Sequence, residues 1–191
     1  MSGYCSYLLL LFTTVCWLHG IGTTGSYQYM ESYQYMEILS PDKIAYMYMM
    51  KSAKNFGTSF LHTYHKVNLV IGWPYHGCSP LYNSIMVDGS IVLLKKEKCT
   101  FVTKSRHAEQ AGAIAVIIAD NNEANDNEYI SMIHDNTGRT VNIPAFFLLG
   151  KDGWMIMDTL KNSNQPALVN IPVNITRIPL EQLHFPPWSF W

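Results

Sequence analysis

The most regular succession of hydrophobic and polar positions runs through residues 88–120 and predicts a strand, a helix and a second strand. Residues 90–94 are an apolar, β-branched run that follows the turn dipeptide Asp88-Gly89, as expected of a buried strand. Residues 113–119 are apolar at every position, which is typical of a strand covered on both faces. Because two parallel strands need a crossover connection, the segment as a whole predicts a parallel β-α-β unit.

The helix between these strands is marked at both ends. Thr100 is a favourable N-terminal cap, and Gly112 suits the residue that ends a helix. Small or apolar residues recur at spacings of three and four along one face, at Phe101, Ser105, Ala108 and Ala111. The other face carries Lys104, Arg106, Glu109 and Gln110. We therefore expect Lys104 and Arg106 to be solvated charges.

Shorter patterns upstream of this unit predict further strands. Residues 44–50 form an apolar, aromatic-rich strand, and two more strands are expected between residues 60 and 71. Residues 72–80 mix Gly, Pro and His and indicate a loop. Residues 121–129 are polar and rich in Asn. Their acidic residues suggest a calcium loop, but the run lacks the central Gly and terminal Glu of such a loop, so a solvated surface loop is favoured.

The carboxyl-terminal part predicts one more helix and one more strand. Residues 150–162 have helical periodicity, with Asp152 as the expected cap. Residues 167–175 alternate enough for a closing strand, in which Pro172 indicates an edge or a bulge. The apolar face of the helix is expected to belong to the core and consists of Trp154, Met157 and Leu160.

Residues 26–37 are the hexapeptide SYQYME written twice. An even repeat preserves the alternation of a strand, so either copy could pair at the edge of a sheet. We predict that one of the two copies is redundant for this pairing. An adhesive aromatic tract is the alternative, although two copies do not make an array.

The amino terminus has the layout of a secretory signal peptide. Residues 8–15 are apolar and are followed by a small-residue zone at Gly20, Gly22 and Gly25. We assign residues 1–22 to this peptide, with cleavage between 20 and 25. The run is too short for an ordinary membrane span, and an uncleaved anchor is the alternative. The expected product is a secreted chain with no membrane insertion after cleavage.

Composition and cysteine usage fit this assignment. With 191 residues, 48% hydrophobic content and a net charge of -1, the chain suits one globular domain and has no basic excess to attract nucleic acid. Cys5 and Cys16 leave with the signal peptide, so Cys78 and Cys99 remain. In an oxidising compartment this pair predicts a disulfide, worth roughly 3 kcal/mol for a loop of about 20 residues. A free nucleophilic cysteine is the alternative.

Several motifs together resemble one family. Residues 89–94, 99–101 and 111–118, and then residues 143–149 followed by Asp152-Gly153, resemble the core of the protease-associated (PA) domain family. The resemblance covers about residues 75–162. It implies an α+β domain with the swivelling β/β/α fold, a mixed β-sheet core and two main helices.

The boundaries that follow give residues 23–37 to an amino-terminal segment, 38–180 to a single PA domain and 181–191 to a carboxyl-terminal tail rich in aromatic residues and Pro. The chain departs from the family at Lys96-Glu97-Lys98, where Arg-Gly usually precedes the second cysteine. This departure alters a surface turn.

The resemblance also implies a role without catalysis, because the family's domain is an accessory that is implicated in protein or peptide recognition. The sequence has no G-x-S-x-G, H-E-x-x-H or Asp-Thr-Gly motif. His62 and His65 would meet on a helix, but a strand places them on opposite faces. We therefore expect no catalytic, metal-binding or cofactor-binding residues. The alternatives are a hydrolase accessory subunit and a lumenal sorting cofactor.

Two further features bear on function. Asn174-Ile175-Thr176 is an N-glycosylation sequon, which secretion would make usable unless the strand buries it. Residues 185–191 hold four aromatic residues and two prolines, a stiff tail that either packs on the domain or binds a partner. We expect the chain to be a secreted glycoprotein that binds an unknown protein or peptide partner.

Overall fold

The computed structural model describes residues 32–163 and 165–189, in which seven strands close into a barrel. The strands are β1 (Tyr33–Ser40), β2 (Met47–Ser52), β3 (Tyr64–Ile71), β4 (Ile91–Lys95), β5 (Ala115–Ala119), β6 (Ala145–Leu148) and β7 (Ala167–Ile171). The helices are α1 (Ser84–Val87), α2 (Phe101–Gln110) and α3 (Gly150–Ser163), and short 3-10 turns occupy Asp42–Ile44, Ile175–Arg177 and Leu180–Gln182. Around the barrel the order is β1-β2-β6-β5-β4-β3-β7, and β7 returns to β1.

The sheet is mixed. The pairs β3-β4, β4-β5 and β5-β6 are parallel, while the pairs that involve β1, β2 or β7 are antiparallel. The predicted β-α-β unit is confirmed as β4-α2-β5. The Thr100 side chain accepts a hydrogen bond from the backbone N–H of Thr103, and Gly112 follows the helix at φ +83°. A Cβ at Gly112 would lie 2.2 Å from Asp88 Oδ1, so a glycine is needed at this close approach.

Alternate positions on the strands build two apolar clusters, because successive side chains point to opposite faces. One cluster packs against α3 and includes Leu93, Ile117, Phe146, Ile156 and Leu160. The other packs against α2 and includes Leu94, Val116, Ile118, Phe147 and Ala108. Both faces of β4 and β5 are therefore buried, as the uninterrupted apolar runs of these strands predict.

Several expectations about the first half of the chain are wrong. Only one strand, β3, lies between residues 60 and 71, because the chain before it is an irregular loop. Strand β2 begins at Met47 because a 3-10 turn occupies Asp42–Ile44. The second SYQYME copy lies in β1, which is not an edge, since it pairs with both β2 and β7. The first copy and the predicted signal peptide lie outside the described residues.

The second half of the chain brings three corrections. Strand β7 ends at Ile171, because Pro172 has no N–H to continue the ladder; it pairs with both β1 and β3, so it is not an edge either. Asp152 does not cap α3 but lies inside its first turn, where the residue is only 3% exposed. Trp154 does not belong to the core, since it is 44% exposed, whereas Met157 and Leu160 are buried.

Among the described residues, no helix has both the length and the apolar character that crossing a membrane requires.

Candidate functional site

A groove of about 230 Å³ lies where the parallel strands β4 and β5 end. The last residue of β4, Lys95, pairs in register with the last residue of β5, Ala119, and both line the groove. The first turns of α3 form the opposite wall. Ligands of parallel sheets commonly bind outside the carboxyl ends of the strands. We call this cleft the carboxyl-edge groove, and it is lined by Tyr75, His76, Lys95, Glu97, Ala119, Asp120, Glu123, Gly150, Gly153, Trp154, Met157, Asp158 and Lys161.

An exposed apolar surface adjoins the groove. Trp73 is 47% exposed and meets the groove residue Tyr75 edge-on, with ring centroids 4.4 Å apart. Asn83 holds this loop in place, because its Oδ1 accepts a hydrogen bond from the Trp73 backbone N–H at 2.9 Å. Further exposed apolar side chains follow on α1 and on the residues before it. We call the set the apolar ridge, and it consists of the half-buried Tyr75 and the exposed Trp73, Tyr82, Ile85 and Met86.

The groove lies beside the one disulfide of the described chain. The structure joins Cys78 and Cys99, the pair that the sequence predicts. The side chain of Lys104 is fully buried next to it, 3.6 Å from Cys78 Sγ. Its ammonium donates hydrogen bonds to the carbonyl oxygens of His76, at 2.5 Å, and Glu97, at 2.6 Å. Lys104 therefore ties together the two chain segments that the disulfide also joins.

Burial lowers the pKa of Lys104 to about 8, because the low-dielectric interior disfavours the charged form. The negative charge of Glu97 acts in the opposite direction. The expectation that Lys104 is solvated is wrong. Its position, three residues after Phe101 and four before Ala108, places it on the buried face of α2, so helical spacing was the signal that could have revealed it.

The side chains of His76 and Glu97 form a polar pair that lines the groove. His76 Nδ1 lies 3.1 Å from Glu97 Oε1. Desolvation lowers the pKa of His76, with Glu97 opposing, so the imidazole is mainly neutral at pH 7. Since a neutral imidazole carries no charge, we regard this contact as polar and not as an ion pair.

The turn that departs from the PA family has unusual backbone geometry. Glu97 has φ +147° and Lys98 has φ +69°, in the region that favours glycine. Lys98 stands at the position for which the family resemblance predicts glycine, a residue that adopts this conformation without steric cost. The departure therefore introduces strain at the rim of the carboxyl-edge groove.

The predicted glycosylation residue lies away from this groove. Asn174 is exposed and lines a separate shallow cleft with Thr63 and Tyr33. Its Oδ1 accepts hydrogen bonds from the backbone N–H and the hydroxyl of Thr176, at 3.0 and 2.7 Å. The side-chain amide nitrogen of Asn174 is not used in these contacts.

The described part of the tail packs on the domain. The indole N–H of Trp188 donates to Asp152 Oδ1 at 2.8 Å, and the Phe185 ring meets Tyr35 edge-on. Burial raises the pKa of Asp152 to about 6, while the hydrogen bond from Trp188 lowers it in part. The sequence did not reveal this pair, because its members lie 36 residues apart.

No group of three or more His, Cys, Asp or Glu side chains within residues 32–163 and 165–189 is arranged to hold a metal ion. The two histidines that the sequence singled out belong to different surroundings: His62 precedes β3 and stacks near Tyr64, while His65 lies within the strand.

Comparisons with known proteins agree with this architecture. The PA domain model matches residues 65–156, which hold the disulfide, α2, β4 to β6 and the start of α3. The PRADC1-like protein of Drosophila melanogaster is 42% identical over 160 residues, covering 82% of each chain. The ER degradation-enhancing alpha-mannosidase-like protein 3 of Xenopus laevis is 34% identical over 96 residues, 48% of this chain and 10% of the relative.

Among solved structures, an aminopeptidase from Aneurinibacillus sp. strain AM-1 superposes with a TM-score of 0.52 at 17% identity. The superposition covers 75% of this chain and 32% of the aminopeptidase, and at this identity it shows the fold alone. The predicted family resemblance is confirmed by the family match and by the extent of the Drosophila similarity. The chain belongs to the PA domain family.

Proposed function

We propose that this protein is a secreted, non-catalytic glycoprotein whose single PA domain binds a segment of a partner protein in the carboxyl-edge groove. The observation that carries the proposal is the apolar ridge. Ile85 is 94% exposed, and Trp73 and Tyr82 are also in contact with solvent. Clustered exposed apolar side chains mark interaction surfaces, and Trp and Tyr supply much of the binding energy at such surfaces.

The charges of the groove indicate what the partner segment carries. Four carboxylates line the groove, from Glu97, Asp120, Glu123 and Asp158, against the ammonium groups of Lys95 and Lys161. Three of them are ion-paired within the chain: Glu123 with Lys95 at 3.0 Å, Asp120 with Lys96 at 2.9 Å and Asp158 with Lys43 at 3.6 Å. Glu97 contacts the neutral His76 and forms no ion pair with a described lysine, so it favours a basic side chain in the partner segment, and the ridge favours an apolar anchor beside it.

The secreted, non-catalytic and glycosylated parts of the proposal rest mainly on the sequence. The signal-like residues 1–22 direct the chain to an oxidising compartment, where the disulfide and the Asn174 sequon are both usable. The two cysteines outside the signal-like segment are joined to each other, so neither offers a nucleophilic thiol. We assign the fold to the α+β, swivelling β/β/α class, with the PA domain at residues 38–180.

The test is selection of a displayed random-peptide library on the purified secreted chain. We expect the enriched peptides to combine an aromatic or branched apolar residue with Lys or Arg. In the double variant Trp73→Ser, Trp154→Ser, affinity should fall at least about tenfold. Leu61→Ser is the matched control, because Leu61 is 96% exposed and lies outside the groove and the ridge.

Three results would contradict the proposal. If the enriched peptides bind the double variant as tightly as the unaltered chain, the groove is not the peptide-binding site. Turnover of the selected peptides by the purified chain would instead support a hydrolase role. A chain that stays inside the cell bound to a partner would favour the lumenal sorting alternative.

A further inference from the structure

A second cavity, of about 430 Å³, lies between strand β2, the first turn of α3 and the carboxyl-terminal segment. It shares no lining residue with the carboxyl-edge groove. Its walls are mostly apolar, and they include the aromatic rings of Tyr48, Tyr129 and Phe185 and the flexible thioethers of Met47 and Met49. A cavity of this size accommodates a small organic molecule, and methionine walls adapt to ligands of different shapes.

The charged groups of this cavity have one sign. Asp126 and Asp152 are the charged side chains among the described lining residues, and no Lys, Arg or His is present there. Lys151 lies 3.5 Å from Asp126 Oδ2 and offsets that carboxylate. Asp152 forms no ion pair with any described basic side chain, and its described side-chain partner is the indole N–H of Trp188.

Two of the three tyrosines that line the cavity present acceptors instead of donors. The hydroxyl of Tyr48 donates to the carbonyl oxygen of Ile44, and that of Tyr129 donates to the carbonyl oxygen of Met49, both at 3.0 Å. Each phenol proton is thus committed to the backbone. Burial, and secondly the carboxylate of Asp152, raise the pKa of both tyrosines, so the phenols stay neutral.

A buried carboxylate without a basic partner, set among aromatic rings, favours a positively charged ligand. Aromatic faces attract cations, and an ammonium would compensate the desolvated charge of Asp152. An anion would meet two carboxylates and no basic group. We propose that this cavity binds a small apolar amine, with the ammonium against Asp152 and the hydrocarbon among Met47, Met49 and Phe185.

The test is an NMR titration of the secreted chain with 2-phenylethylamine at pH 7.5. Two probes of similar shape serve for comparison, the neutral 2-phenylethanol and the anionic 3-phenylpropanoate. We expect the amine to shift the resonances of Tyr129 and Phe185, to bind at least about tenfold tighter than the alcohol, and the anion not to bind. Equal affinity for amine and alcohol overturns the proposal.

Variants of two aspartates on α3 test whether the carboxylate of Asp152 causes the preference for the amine. Asp152→Asn keeps an acceptor for Trp188 but removes the carboxylate, so the preference for the amine should disappear. Asp158→Asn is the control, since Asp158 is outside this cavity and its ion-pair partner is Lys43, at 3.6 Å. Loss of the amine preference in Asp158→Asn, or its survival in Asp152→Asn, counts against the site.

A measurement on the unaltered chain covers the case in which Asp152→Asn does not fold. Asp152 has a pKa of about 6, so amine affinity should fall as pH decreases from 7.5 to 5, while alcohol affinity stays constant. The other charged or titratable groups around it are Asp126, Lys151, Tyr48 and Tyr129. An amine affinity that does not change over this range contradicts the role of Asp152.

The chain itself supplies one competing occupant. Ser189 lines the cavity, and Phe190 and Trp191 follow it in the sequence. A variant that ends at Ser189 separates the two cases. Equal amine affinity in both chains supports the ligand site, whereas binding only to the shortened chain would assign the cavity to the chain's own last residues and overturn the proposal.

Discussion

The ammonium of Lys104 lies 3.6 Å from Sγ of Cys78, so a buried charge and a disulfide stabilise the same pair of chain segments. The disulfide acts mainly on the unfolded chain, by restricting its conformations. Lys104 acts on the folded chain, through the two carbonyl oxygens that accept its hydrogen bonds. Removal of the disulfide and removal of the Lys104 ammonium should therefore each lower the free energy of unfolding.

Lys104→Met tests the contribution of the buried ammonium. Methionine keeps most of the side-chain volume but leaves the carbonyl groups of His76 and Glu97 without their donor. Because each unsatisfied buried group costs about 1–3 kcal/mol, and the relief from burying a charge offsets part of this, we expect the free energy of unfolding to fall by about 2 kcal/mol.

Urea denaturation at pH 7 under oxidising conditions measures the change. Lys43→Met is the control, because Lys43 is largely exposed, and it should change stability by less than about 0.5 kcal/mol. A Lys104→Met chain as stable as the control would show that the hydrogen bonds only balance the cost of burial.

The pH dependence of stability provides an independent test of Lys104. Its pKa is about 8 in the folded chain and 10.5 in the unfolded chain, so the unfolded chain binds more protons between these values. The free energy of unfolding should therefore rise with pH from 8 to 10.5, by on the order of 2–3 kcal/mol from this group. Lys104→Met should lack this rise.

The difference between the two chains is the quantity to follow, because it cancels the titration of tyrosines above pH 10. A stability difference that is constant across the window would place the pKa of Lys104 near its ordinary value.

Trp188→Phe tests the contact between the tail and α3. Phenylalanine keeps the apolar contact but loses the indole N–H that donates to Asp152. We expect the free energy of unfolding at pH 7 to fall by about 1–2 kcal/mol, since the carboxylate loses a charge-assisted hydrogen bond. Trp154→Phe is the control, because Trp154 is half-exposed and its indole has no such role.

The effect of Trp188→Phe should depend on pH in a definite direction. The folded pKa of Asp152 is raised to about 6 from its ordinary value of 3.8, so this group stabilises the protein less as pH rises from 4 to 6. Since the hydrogen bond lowers the folded pKa of Asp152, its removal extends the loss of stability to higher pH. Unfolding curves between pH 4 and 7.5 measure this pH dependence. If the free energy of unfolding of Trp188→Phe varies with pH as that of the unaltered chain does, the contact is not supported.

Lys98→Gly should stabilise the protein. Lys98 has φ +69°, a conformation that costs a non-glycine residue about 1–2 kcal/mol, while glycine adds about 0.5–1 kcal/mol of unfolded-state entropy. The expected gain is thus about 0.5–1 kcal/mol in thermal or urea unfolding. Lys43→Gly, at a residue with ordinary backbone angles, should destabilise instead.

Occupancy of the sequon can be read from electrophoretic mobility. The chain secreted by cultured animal cells should migrate faster after enzymatic removal of N-linked glycans, because Asn174 is exposed. Asn174→Gln should migrate at the faster position without treatment. Asn162→Gln, outside any sequon, should behave as the unaltered chain, and identical mobility of all forms would exclude a glycan.

Local signals predicted the unit β4-α2-β5 well, since its cap, its glycine and its apolar runs lie within 33 residues and act between neighbours. They did not predict which strands meet across the barrel. Asn170 donates to Glu37 at 2.8 Å between β7 and β1, over a separation of 133 residues. No local pattern encodes such a pairing, so the sequence indicates an edge for β1 and an edge or a bulge for β7.

The candidate site was predictable to a similar degree. The disulfide followed from counting cysteines, but Lys104 and Asp152 could not be assigned as buried from residue type, because charged residues are usually exposed. Each is buried because distant segments supply its partners: carbonyl oxygens for Lys104, and the indole of Trp188 for Asp152. Trp154 was expected in the core, because helical spacing does not show that the outer end of that face borders a groove.

Closure of the barrel also restricts how a partner can be held. Many peptide-binding domains offer the free edge of a sheet, to which a peptide adds as an extra strand through backbone hydrogen bonds. Here each of the seven described strands is paired on both sides, with β2 meeting β6 at Lys51 and Ser52, so little of the sheet edge is open to another chain. Under the proposed function, recognition would therefore come from side chains and loops and depend on the partner's sequence, and the same closure guards the domain against edge-to-edge aggregation.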